Sequence, residues 1–100
     1  MEAGDKRSIG WPRAAVRLPR HVVYRTYVLE TVVVNLERGV YHGLNPTAGR
    51  MLETLDRVGS VGEAASLLAE EFGLPRDEIE RDLLALCTDL FERGLIELAA

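Results

Sequence analysis

The sequence is poor in the residues that most chemistry needs, with one cysteine, one tryptophan and two histidines among 100 residues. The lone Cys87 cannot close an internal disulfide, and its place in an apolar helical pattern marks it as a small buried hydrophobe rather than a reactive thiol. His21 and His42 have no Cys or Ser nucleophile motif nearby and join no cluster of ligand residues. Neither a catalytic pair nor a metal or cofactor site is expected. No apolar run approaches the roughly 20 residues of a membrane span. Lys6 and Arg7 are not followed by the apolar stretch of a secretory signal, so a cytoplasmic location is expected.

What is present is an ordinary globular composition, 47% hydrophobic and 28% charged, with length for one modest core and not for two. Charge is unevenly placed: residues 1–30 carry six basic and three acidic side chains, whereas residues 31–100 carry six basic and thirteen acidic ones. The body of the domain is therefore acidic. Residues 1–19, with two prolines, two glycines and no sustained period, read as a flexible basic arm ahead of a domain at 20–100. Trp11 either anchors that arm or lies exposed.

From His21 the chain turns rich in Val, Thr and Tyr, which predicts strands at about 22–28 and 31–36. A turn at Glu37–Gly39, with Gly39 suited to positive φ, leads to a third strand at 40–44. Asn45 and Pro46 form a helix start, and Ala48, Met51, Leu52 and Leu55 give that helix an apolar stripe. Gly49 within it marks a close backbone approach. Ser60 and Glu63 are spaced as a capping box for a second helix, packed through Val61, Ala65, Leu68 and Phe72 and stopped at Gly73. Pro75 opens a third helix, with Ile79, Leu83, Leu86, Cys87 and Leu90 as its core stripe and Gly94 as its stop; the apolar "LIEL" that follows packs back. The fold class is α+β, winged helix-turn-helix-like: a three-stranded antiparallel sheet followed by three helices.

A winged helix raises the question of DNA, and the charges answer it. The third helix, 75–93, sets Arg76, Arg81 and Arg93 against Asp77, Glu78, Glu80, Asp82, Asp89 and Glu92, and a surface of that sign repels phosphates. Nucleic acid is not the expected partner. The third strand, by contrast, is an edge that carries no Lys or Pro to blunt it. An extended peptide can add to such an edge as a further strand, in a groove between it and the third helix.

Two stretches, "GVYHGLNPTAGRMLETL" and "SVGEAASLLAEEFGLPRDEIERDLLALCTDLFERGLIEL", resemble the PqqD family, over about residues 17–98. The resemblance implies a noncatalytic recognition element for ribosomally made, post-translationally modified peptides (RiPPs), one that holds a precursor's leader segment against the third strand and third helix. The free-standing form is most similar to lasso-peptide leader-binding proteins, which act with a leader peptidase and a macrocyclase. PqqD proteins serving radical-SAM maturases look alike, and the shared "HGLNPTA" leaves the two open. The expected peptide-binding residues are Val40, Tyr41, His42, Gly43 and Leu44 on the strand, with Arg81, Asp82, Leu84 and Phe91 on the helix. Leu84 and Phe91 either line the groove or widen the core stripe, and Arg81 and Asp82 either pair with leader charges or are solvated. His42 reads as a strand side chain with a local hydrogen bond, not a ligand.

Overall fold

The computed structural model describes residues 10–99. The sheet is the expected meander: β2 (Val22–Thr26), β3 (Thr31–Asn35) and β4 (Val40–Leu44) pair in that order, all antiparallel. It is preceded by a short strand β1 (Val16–Arg17) and followed by α1 (Pro46–Val58), α2 (Val61–Phe72), α3 (Arg76–Glu92) and β5 (Glu97–Leu98).

Local chemistry sets most boundaries. The first predicted strand stops two residues early, at Thr26, because a tight turn closes with the Tyr27 N–H on the Glu30 carbonyl at 2.7 Å. The second stops at Asn35, whose Oδ1 accepts the Glu37 and Arg38 N–H groups at 3.0 and 3.1 Å and folds the next turn, with Gly39 at φ 69°. Asn45 accepts the Ala48 N–H at 2.8 Å and Ser60 accepts the Glu63 N–H at 3.2 Å, so the first two helices begin where their caps dictate. In α3, Pro75 is the cap residue rather than the first helical one, and Asp77 and Glu78 occupy the first turn.

The core lies between the helices and one face of the sheet. Val33, Leu52, Leu55, Leu68, Leu83 and Leu90 are fully buried. Gly49 seats α1 on β3, since a Cβ there would collide with the Thr31 side chain. Phe72 and Leu86, expected in the core stripes, are half-buried and pack against the core's margin.

The N-terminal segment differs from the expected flexible arm. Residues 1–9 lie outside the described residues, but from Gly10 onward the chain is part of the fold. A single 3₁₀ turn at Trp11–Arg13 packs against α2 and α3, and Trp11 is only 5% exposed, its ring edge-on to Phe91 at 5.6 Å between centroids. Val16 is buried, and β1 pairs antiparallel with β5, which recruits the "LIEL" tail after the buried Leu95 and Ile96. Residues 10–19 depart from that expectation because four apolar side chains spread over both ends, at Trp11, Val16, Leu95 and Ile96, join one buried core that no local period reveals.

Candidate functional site: the open edge of β4 and the facing flank of α3

Which backbone groups β4 offers follows from the register. The Tyr27–Glu30 bond and the Leu36 N–H to His21 carbonyl bond, both 2.7 Å, mark pairs that bond directly across β2 and β3. Alternate pairs, Arg25 with Val32 and Val23 with Val34, therefore do the same, while Thr31, Val33 and Asn35 turn toward β4. Their partners Leu44, His42 and Val40 face inward. Tyr41 and Gly43 then present their N–H and C=O groups at the outer edge. Two donors and two acceptors stand there in the spacing an added antiparallel strand needs.

The sheet's other edge, β2, is tied down in part. The Val22 N–H is bonded to the Pro19 carbonyl at 3.0 Å, Tyr24 Oη donates to Asp56 Oδ2 at 2.9 Å, and Thr26 Oγ1 donates to Glu53 Oε2 at 2.9 Å, so the side chains of β2 are tied to α1. Burial and the Asp56 carboxylate push the Tyr24 phenol up to about 12. Depressions of about 470 and 330 Å³ lie along β2, and neither touches β4. The candidate site at β4 is an exposed strand edge.

One contact links β4 to α3. Arg93, at the helix's end, places Nη1 3.0 Å from His42 Nδ1, and its Nε donates to Asp89 Oδ1 at 3.0 Å. The hydrogen bond of His42 is thus long-range rather than local. Asp82, Leu86, Asp89 and Arg93 stand at i, i+4, i+7 and i+11, so they share one stripe of the helix, whose Arg93 end reaches β4. Leu86, half-buried, is the apolar member of that stripe.

The expected site residues are only partly brought together. Val40, Tyr41, His42, Gly43 and Leu44 form β4, with Leu44 buried, Tyr41 74% exposed and the Glu30 carboxylate lying over the bare Gly43. Asp82 is exposed on that stripe of α3, and Arg81 is exposed beside it. Phe91 packs on Trp11, on the helix's other flank, and Leu84, seven residues earlier, shares that flank and packs against the core. Both are half-buried at the core's margin. Asp89 and Arg93 form an i, i+4 ion pair that their spacing makes legible, whereas the contact of Arg93 with His42 has no signal in the sequence. Burial pushes the Cys87 thiol up to about 12, in keeping with a core residue. Among the described residues no group of acidic, His or Cys side chains is arranged to hold a metal, and no helix is long and apolar enough to cross a membrane.

A meander with an open third strand beside the last of three helices is the architecture of a peptide-recognition domain, and residues 30–96 match the family model for coenzyme PQQ synthesis protein D. The chain belongs to the PqqD family. Its fold is similar to that of a lasso peptide synthetase B1 solved with a leader peptide, at 30% identity and a TM-score of 0.73 over 84% of this chain and 99% of that one. TbiB1 in complex with the TbiA(β) leader peptide is similar at 26% identity and a TM-score of 0.75, over 84% and 98% of the two chains. The PqqD portion of Methylobacterium extorquens PqqCD, a stand-alone RiPP recognition element, is similar at 25% identity and a TM-score of 0.68, over 86% and 97%. In sequence, a PqqA binding protein of Gluconobacter oxydans is 43% identical over 49 residues, 49% of this chain and 51% of that relative. The matched region spans about half the length of that curated relative.

Proposed function

We propose that this protein is a RiPP recognition element, working in the cytoplasm, that binds the leader segment of a ribosomally made precursor peptide. The leader adds to β4 as a fourth strand, bonded to the backbone of Tyr41 and Gly43, and rests its inward side chains on the Asp82–Leu86–Asp89–Arg93 flank of α3. The observation that carries this reading is the β4 edge, with no strand on its outer side among the described residues and no Lys or Pro to blunt it, in a fold similar to two proteins solved in leader complexes. The protein acts by binding, without catalysis, and presents the precursor to a separate leader peptidase and macrocyclase of lasso-peptide assembly. The likeness to a PqqA binding protein favours a second reading, delivery to a radical-SAM maturase, with the same leader site.

The test is a fluorescently labelled leader peptide from the precursor encoded beside this chain, titrated by anisotropy without metal or nucleotide. A dissociation constant below about 1 μM is expected, near −8 kcal/mol. The core peptide lacking its leader should not compete. Equal binding by leader and core would remove the reading.

A further inference from the structure

This inference rests on the leader-binding reading. Backbone pairing at Tyr41 and Gly43 is blind to side chains, and so short an edge accepts an extended peptide in more than one register. A side-chain contact has to select among them. We propose that Arg93 sets the register by taking an acidic side chain of the leader at the residue opposite His42.

The geometry begins at His42. It bonds inward to Val33, so its partner on an added antiparallel strand forms the non-hydrogen-bonded kind of pair, with Cα atoms about 4.5 Å apart and side chains on one face. That face is the one Leu44 shares and buries against the helices. The incoming side chain therefore arrives beside His42 Nδ1, where Arg93 Nη1 already stands at 3.0 Å.

Arg93 is built for this. Its Nε is held by Asp89 and its Nη1 by His42, which orients the guanidinium across the gap between strand and helix. A guanidinium has five N–H donors in a planar fork, so two ties leave donors for a carboxylate. On that stripe of α3 Arg93 is the cation, its Nε shared with Asp89, while Asp82, eleven residues away, repels a leader carboxylate. A slip of two residues would move the acid about 7 Å along the strand, away from the guanidinium.

The experiment substitutes each position of the neighbouring precursor's leader in turn by Asp and by Lys. Each peptide is titrated by anisotropy against wild type, Arg93→Glu and Arg93→Gln, with far-ultraviolet spectra confirming that the variants are folded. Wild type should show one position that prefers Asp to Lys by about tenfold. At that position alone Arg93→Glu should reverse the preference and Arg93→Gln should erase it. The proposal is overturned if the leader binds but its Asp and Lys preferences are the same at every position in all three proteins. Failure of wild type to bind any leader is a different result, and it removes the underlying reading together with the register role.

Discussion

Tyr41 and His42 are neighbours on β4 but turn their backbone groups in opposite directions, Tyr41 out of the sheet and His42 toward Val33. Proline at either position removes one N–H and fixes φ. Tyr41→Pro should therefore weaken leader binding by about tenfold or more while the thermal midpoint stays near wild type. His42→Pro should break the β3–β4 ladder and lower stability by about 1–3 kcal/mol. Anisotropy and thermal melts on both variants check this; a Tyr41→Pro protein that binds as wild type does would rule out β4 as the docking edge.

Trp11 and Phe91 tie the N-terminal turn to α3, edge to face. Trp11→Ala should cost about 3–5 kcal/mol, as large buried aromatics do when truncated. Phe91→Ala should be costly as well, and the double variant should cost less than the sum because the two rings share one packing. Urea titration measures all three. Additive costs would mean that the ring contact contributes nothing of its own.

Gly49 sits where α1 meets β3. An exposed helical Gly→Ala usually stabilises by a few tenths to 1 kcal/mol. Here the sign should reverse, because the new methyl meets the Thr31 side chain, and overpacking of this kind costs about 1–3 kcal/mol. Thr31→Ala in the Gly49→Ala background should recover part of the loss, read as a rise in melting temperature.

Arg50 bonds Glu71 through Nε at 2.7 Å and Glu53 through Nη1 at 2.9 Å, linking α1 to α2. Its guanidinium holds both carboxyls below their usual range, Glu53 with help from Thr26. Carboxyls depressed in the fold contribute stability that is present above their unfolded pKa and lost as pH falls through the folded one. Wild type should therefore lose stability on acidification below about pH 4.5 more steeply than Arg50→Gln, in urea midpoints compared between pH 7 and pH 3. Parallel curves would show that these partly exposed pairs contribute little.

Much of the architecture was legible because its signals are local. Runs of Val, Thr and Tyr made the three strands of the meander, Asn45–Pro46 and Ser60–Glu63 started two helices, and apolar spacing marked their buried faces. Each signal acts within a turn of helix or along one strand, so neighbouring residues suffice to specify it. The edge character of β4 followed equally from chain order, since a third meander strand has a partner on one side only.

Tertiary structure alone decided the rest. The flank of α3 that faces β4 depends on how the helix is rotated about its axis, and that rotation is set by packing: Trp11 meets Phe91 on one flank, and Arg93 meets His42 on another. Spacing identified Leu84 and Phe91 as one stripe, but spacing is unchanged when a helix turns. The direction of the Tyr41 amide likewise hung on the β2–β3 turn closing between Tyr27 and Glu30, because a one-residue shift in register would have exchanged the roles of Tyr41 and His42. Composition and period determine which residues share a face. What each face meets is determined by long-range packing between segments such as Trp11 and Phe91, which are far apart in the chain.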